Sequence, residues 1–277
     1  RSINTTMNQY TERKINEEKF VPSVRAEYIA FDATNQRYIA TGNIDSISVI
    51  NQIDLKCSTF AKNKECRIPR NVCIQPYTDN ILVCDSNAGL VNVFNSQKQL
   101  THSINPPCPK YTYPLGIDCD ADGTFAVTSY SKEKIKLFAA CGKPLRSTIP
   151  DEWLKSIRYL NRRFSPSASA TLLLACHANG RKISVLSKDT EQKVDTIALD
   201  GYPIDICVDL NGYVCVSADH YTGINNELCI LEPRKGYTVL QKITLHAPFI
   251  QNLGLCVNDL NEIAFGDLYS GRLRFLE

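Results

Sequence analysis

Short apolar runs recur along this chain at a nearly constant interval, and self-similarity of that kind decides a fold before any local helix or strand signal does. One unit reads as an apolar run, a polar turn, a second apolar run, a polar loop and a third apolar run ending in a large side chain. Six segments follow this pattern. The first three are Tyr28-Ile29-Ala30-Phe31-Asp32 leading to Ile47-Ser48-Val49-Ile50, Val72-Cys73-Ile74-Gln75 leading to Val91-Asn92-Val93-Phe94, and Gly116-Ile117-Asp118-Cys119-Asp120 leading to Ile135-Lys136-Leu137-Phe138. The others are Arg163-Phe164-Ser165 leading to Ile183-Ser184-Val185-Leu186, Ile206-Cys207-Val208-Asp209 leading to Leu228-Cys229-Ile230-Leu231, and Leu255-Cys256-Val257-Asn258 leading to Leu273-Arg274-Phe275-Leu276. Equivalent turn positions fall at 32, 75, 120, 165, 209 and 258, with spacings of 43, 45, 45, 44 and 49 residues.

A period of that size holds four short strands, the content of one propeller blade. The third unit shows them as Gly116 to Cys119, Thr124 to Thr128, Lys134 to Phe138 and Pro144 to Ile149, with Asp120-Ala121-Asp122-Gly123 as the tight turn. The last unit stops at Glu277 after three strands, so the segment around Lys14 to Phe20 is predicted to supply its outer strand and close the ring. The expectation is an all-β, six-bladed β-propeller over residues 20–277, with 1–19 as an N-terminal segment that partly forms the closing strand.

Composition changes this picture little. With 31 Lys+Arg against 29 Asp+Glu, the net charge of +2 identifies no partner. No apolar run approaches the roughly 18–20 residues that cross a bilayer. The start Arg1-Ser2-Ile3-Asn4-Thr5-Thr6 lacks the apolar centre of a signal peptide, and the chain reads as a domain cut from something longer. The 12 cysteines sit mostly inside apolar runs, as in Val214-Cys215-Val216, and read as small buried hydrophobes with free thiols in a reducing compartment. Cys57 with Cys66 and Cys108 with Cys141 lie nearer loops and are the pairs to watch. There is no C-x-x-C pair, and four histidines give no zinc spacing.

Pro114-Leu115-Gly116-Ile117-Asp118-Cys119-Asp120-Ala121-Asp122-Gly123 followed by Ile135 to Phe138 resembles the NHL repeat. Tyr202 to Gly212 is similar to a second copy, and Ile68 to Ile74 followed by Asp85 to Phe94 to a third; the first, fourth and sixth copies are degenerate. The nearest resemblance is to the C-terminal NHL domain of tripartite-motif-type proteins, whose RING, B-box and coiled coil lie upstream. That resemblance implies single-stranded, U-rich RNA bound on one propeller face, with protein co-repressors recruited elsewhere, translational repression as the outcome and a cytoplasmic setting. Neither membrane nor DNA is an expected partner, and no cofactor, metal or catalytic residue is assigned.

The loops joining one blade's outermost strand to the next blade's innermost strand share a face, here the upper face, with the loops between second and third strands. The turns on the lower face carry Asp32, Asp79, Asp120, Asp122, Asp209, Asp259 and Glu262 against Arg37 alone, a poor surface for phosphates. On the upper face the entries to the innermost strands carry Arg25, Lys62, Lys64, Arg67, Arg70, Lys110, Lys155, Arg158, Arg162 and Arg163 against Glu27, Glu65, Asp151, Glu152, Asp200 and Asp205. The loops between second and third strands add Lys132, Lys134, Arg181 and Lys182 but also Asp45, Asp85, Glu133, Asp219, Glu227 and Asp267. Flat and amide side chains suited to bases are Asn43, Asn87, Tyr130, His177, Asn179, His220, Tyr221 and Tyr269, with Tyr113 and Gln251 where innermost strands begin. Arg25, Arg70, Arg162 and Arg163 are the expected phosphate or stacking groups. The plainer reading is that loop Tyr, Asn and His only solvate turns and cap strand ends. Asp151 to Leu160, after Pro150, is predicted as a short helix turn with Trp153 as its packing anchor.

Two other function classes stay open. One is a protein-interaction platform without RNA, which near-neutral charge permits. The other is a metal-dependent hydrolase or lyase, for which Asp85, Asp219 and Asp267, with Asn43 and His177, would form a weak cation set.

Overall fold

The inner strands are apolar on both faces because each sheet is covered on both sides by its neighbours. In the computed structural model the described residues are 12–22, 24, 26–43, 46–61, 65–105, 113–129, 135–147, 153–161, 164, 170–220, 225–246, 254–267 and 271–277, with backbone alone at 17, 18, 43, 146, 147, 225, 246 and 267. They form six four-stranded antiparallel sheets arranged as a β-propeller. Blade one is β2 (Tyr28–Asp32), β3 (Arg37–Asn43), β4 (Ser46–Asn51) and β5 (Cys57–Phe60), counted outward from the axis. Blade two is β6 (Pro69–Gln75), β7 (Asn80–Asp85), β8 (Leu90–Phe94) and β9 (Leu100–Ile104); blade three is β10 (Pro114–Cys119), β11 (Phe125–Ser129), β12 (Lys136–Phe138) and β13 (Pro144–Ser147). Blade four is β14 (Leu154–Leu160), β15 (Leu172–His177), β16 (Lys182–Ser187) and β17 (Lys193–Ala198), and blade five is β18 (Tyr202–Val208), β19 (Val214–Asp219), β20 (Asn225–Glu232) and β21 (Thr238–His246). Blade six joins the two ends of the chain: β22 (Leu255–Val257), β23 (Ile263–Asp267) and β24 (Arg272–Leu276) are completed by β1 (Ile15–Pro22).

The core is six separate wedges, one between each pair of neighbouring blades. Strand β7 shows how period-2 alternation feeds two wedges. Ile81 and Val83 pack toward blade one, whereas Leu82 and Cys84 pack toward blade three. Most cysteines fill such positions, and every described cysteine is a free thiol. Cys66 is buried between blades one and two, where desolvation pushes its thiol up to about 12. Cys57 and Cys141 are exposed, and Cys108 lies outside the described residues.

The predicted ring closure is present. The expected boundary at residue 19 falls inside β1, which pairs from Ile15↔Leu276 to Pro22↔Arg272.

Blade four departs from expectation. Residues 154–160 are the innermost strand β14, not a helix turn, paired with β15 from Leu154↔His177 to Leu160↔Leu172. Burial on both sides of Leu154, Ser156, Ile157, Tyr159 and Leu160, together with ladder hydrogen bonds, outweighs any helical spacing. The equivalent turn position is therefore Leu160, not Ser165, and the β14–β15 connection spans residues 161–171. Arg162 and Arg163, expected on the upper face, fall within that connection and lie outside the described residues.

The lower face carries more cations than Arg37. Its carboxylates fasten neighbouring blades and turns: Arg13 pairs with Asp209 at 2.5 Å, Lys188 with Asp122 at 2.8 Å and with Asp120, and Lys19 with Glu262. Gln52 donates to Asp259 at 2.8 Å, Gln75 to the Ala140 carbonyl at 2.7 Å, and Arg37 to the Ser96 carbonyl at 2.9 Å. Between blades four and five the joint is a close contact. Gly212 has φ +88°, and a Cβ there would lie 2.1 Å from the Phe164 ring. Replacing Gly212 with Ala adds left-handed strain to that clash, and a loss of about 2 kcal/mol is expected in urea unfolding.

Candidate nucleic-acid interface

The axis is built in tiers, because the innermost strands place equivalent residues at one height. Matching the β-ladders aligns Tyr28, Asn71, Gly116, Ser156, Asp205 and Gly254 in an upper tier. Ala30, Cys73, Asp118, Arg158, Cys207 and Cys256 form a lower one. Asp205 is fully buried; it accepts from Ser156 Oγ of blade four and, at 2.8 Å, from the Leu255 amide of blade six. Arg158 reaches Asp118 of blade three at 2.9 Å and the Ile206 carbonyl of blade five at 2.9 Å. Arg158 is thus an axial strut and Asp205 a bridge, and neither belongs to the upper surface.

One position above the upper tier, Glu27, Arg70 and Lys155 meet at the mouth of the channel. Arg70 pairs with Glu27. Burial pulls the Lys155 ammonium below the usual lysine range, and the Glu27 and Asp205 carboxylates oppose that pull. Further out, Tyr113, Trp153 and Tyr202 hold the same place at the start of the innermost strand in blades three, four and five. Tyr113 is 45% exposed, Trp153 and Tyr202 are half-buried, and the exposed Arg181 lies over the Tyr202 ring at 5.2 Å. Trp153 therefore shares the upper rim with two tyrosines instead of anchoring a helix.

Several acidic groups near the upper face are engaged. Asp85 is buried and accepts the Arg67 amide at 2.8 Å and the Ala88 amide at 3.1 Å. Asp200 pairs with Lys242, and Glu227 lies 3.2 Å from His220 and 3.9 Å from Lys242. Arg67 and Arg181 are exposed.

The remaining expected base-contacting groups divide into three sets. Asn87 and Asn179 are exposed in the β7–β8 and β15–β16 turns, and His220 is half-buried beside Glu227. His177 is corrected: it is 1% exposed, and its Nε2 meets Ser184 Oγ at 2.7 Å, so it serves the core of blade four and presents nothing to a base. Arg25, Tyr130, Tyr221, Gln251 and Tyr269 lie outside the described residues, as does the side chain of Asn43. Tyr202 was missed, although Tyr202-Pro203 repeats Tyr113-Pro114 at the same place in its unit.

Two members of the weak cation set are engaged elsewhere. Asp85 and His177 are spent on structural hydrogen bonds, and the side chains of Asp267 and Asn43 lie outside the described residues. Among the described residues no group of three or more His, Cys, Asp or Glu is placed to hold a metal ion. Nor is any described helix long and apolar enough to cross a membrane.

No family model and no curated protein matches the sequence. Solved structures do. Hydrazine synthase from Kuenenia stuttgartiensis is similar at TM-score 0.64 and 16% identity, over 89% of this chain and 74% of that one. A streptogramin B lyase is similar at TM-score 0.63 and 12% identity, over 96% of this chain and 97% of that one. At such identities the likeness is one of architecture, and it places this chain among the β-propellers.

Proposed function

We propose that the upper face binds single-stranded, U-rich RNA, and that the chain is an NHL-type domain acting in post-transcriptional repression in the cytoplasm. The observation that carries this reading is the arc of Tyr113, Trp153 and Tyr202 in three consecutive blades, flanked by Arg70, Lys155 and Arg181. Aromatic faces at a regular spacing stack successive bases, and guanidinium groups between them neutralise phosphates or stack in turn. The pairing of Glu27, Asp200 and Glu227 with basic side chains lowers the repulsion that a phosphate backbone would meet there. The reading assigns no catalytic role; the pairing of His177 with Ser184 is buried within blade four.

Fluorescence anisotropy of labelled single-stranded RNA pools at two salt concentrations tests it. Binding is expected to weaken as salt rises, with a slope of about −0.7 per phosphate neutralised. Tyr113→Ala is expected to cost about 1–3 kcal/mol, and Arg181→Glu to weaken binding and flatten the salt slope. Absence of binding at low salt would overturn the proposal in favour of a protein-interaction platform. Protein co-repressors would then, as in the RNA reading, find the lower face, where Ile53, Tyr77, Leu210 and Leu260 stand exposed on turns.

A further inference from the structure

On the lower face, exposed aliphatic side chains from three consecutive blades gather at a single turn. Leu260, 68% exposed, tips the β22–β23 turn of blade six between Asp259 and Asn261. Asn261 Oδ1 accepts the amide of Leu210 at 2.8 Å, and Leu210 is 52% exposed on the β18–β19 turn of blade five. On the other side both Asp259 oxygens take donors from blade one, Oδ2 from Gln36 and Oδ1 from Gln52, each at 2.8 Å. Ile53, next to Gln52 in the β4–β5 turn, is 84% exposed. The three apolar tips therefore lie within one residue of one hydrogen-bonded staple. Two are also fixed within their own turns: Asn258 Oδ1 accepts the Leu260 amide at 3.0 Å, and Asn51 Oδ1 the Ile53 amide at 2.8 Å. Exposed apolar residues scattered singly need no explanation, whereas a gathered set held rigid before binding lowers the ordering cost of an interface.

A carboxylate stands among these side chains. Asp259 is exposed, its donors are neutral amides, and no cation pairs with it among the described residues. The hydrogen bonds from Gln52 and Gln36 hold its carboxyl below the usual range, so it stays ionised at neutral pH. Lys56, the cation in the turn of Ile53, is taken by Asp54 at 3.0 Å. Arg13 and Arg37, the cations beneath the inner turns, are buried against Asp209 and Asp32. We propose that this ledge docks a partner protein through a short segment that carries Lys or Arg beside Leu, Ile or an aromatic side chain. The apolar tips supply the contact, and the uncompensated Asp259 charge selects a cation and disfavours an acidic or phosphate-bearing segment. The inference rests on the reading of the lower face as the partner-binding one and does not depend on RNA.

The test selects random peptides displayed on phage against the whole chain, without RNA. Enriched sequences are expected to place Lys or Arg within a few residues of an aliphatic or aromatic side chain. Made synthetically and labelled, they should bind the wild type saturably in fluorescence anisotropy. Leu260→Ser is expected to weaken that binding at least about tenfold. Asp259→Asn removes the charge of an exposed group and should cost about two- to fivefold while flattening the salt dependence. Both positions are exposed, so urea midpoints should stay near that of the wild type, and Leu210→Ser replaces Leu260→Ser if that variant does not fold. Tyr113→Ala, on the upper face, should leave peptide binding unchanged, which keeps a failure here distinct from a failure of the RNA reading. Enrichment of acidic peptides, enriched peptides that bind all these variants equally, or no enrichment over the bare support would each overturn the proposal. Self-association of the wild type in sedimentation velocity, lost in Leu260→Ser, would make a second copy the occupant and overturn it as well. Flotation with phosphatidylcholine vesicles, lost in the same variant, would do so in favour of a lipid surface.

Discussion

A chain lacking residues 1–24 is expected to lose cooperative folding. The segment is not an appendage, because β1 supplies the fourth strand of blade six and covers an edge that would otherwise stay open. Its contacts reach two blades. Lys14 and Glu277 exchange both backbone hydrogen bonds, at 3.1 and 3.0 Å, and the Val24 amide donates to the Gly271 carbonyl at 2.8 Å. Arg13 ties the segment to blade five through Asp209, the Asn261 carbonyl at 2.8 Å joins it to blade six, and Gln241 donates to the Arg13 carbonyl at 2.8 Å. Val21 and Val24 are buried in the wedge between blades six and one. Burying two valines contributes about 3–6 kcal/mol at most, and losing a buried ion pair's partner leaves the Asp209 charge uncompensated at a cost of about 3–5 kcal/mol. Those amounts rival the roughly 5–15 kcal/mol that holds a typical domain folded. Far-UV circular dichroism across a urea titration should show a shallow or absent transition in the truncated chain. A synthetic peptide of residues 12–24 added in excess should restore part of it. A truncated chain that unfolds at the wild-type midpoint would show that the ring closes by other means.

How much of this was legible in the sequence depends on what each strand faces. Strands covered on both sides are written as unbroken apolar runs, so five of the six repeats could be placed from sequence to within a few residues. Blade four was misplaced because Lys155 and Arg158 interrupt its innermost strand and give it the look of a solvated helix. Only the axis makes those charges sensible: Arg158 is neutralised by a carboxylate from the neighbouring blade, a contact 40 residues away in the chain. The same error hid the aromatic arc. Trp153 aligns with Tyr113 and Tyr202 once residue 154 is known to open a strand, and not before. His177 was misread for a related reason, since a histidine at the end of a strand and one in the following turn differ by a single residue in sequence and completely in burial.

Replacing Asp205 with Ala is expected to be the most destabilising single change on the axis, at about 3–5 kcal/mol. The carboxylate has no solvent exposure and joins three blades: its own, blade four through Ser156 and blade six through the Leu255 amide. Alanine would leave that amide and that hydroxyl without an acceptor, each at about 1–3 kcal/mol. It would also remove negative charge that offsets Arg158 and Lys155. Asparagine keeps one oxygen for the Leu255 amide, so Asp205→Asn should cost less than alanine. The asparagine variant has a second signature. Desolvation holds the Asp205 carboxyl above its ordinary 3.8, against the pull of Arg158 and of the Ser156 and Leu255 hydrogen bonds. The native chain therefore binds more protons than the unfolded one between 3.8 and the native pKa, and this group's contribution to stability falls as pH rises through that interval. Asp205→Asn should remove that component of the pH slope, whereas a change confined to packing would leave it in place. Urea midpoints measured from pH 4 to pH 7 on the wild type and both variants separate the two effects. An alanine variant within about 1 kcal/mol of the wild type would mean that the three blades are held at the axis by their apolar wedges alone.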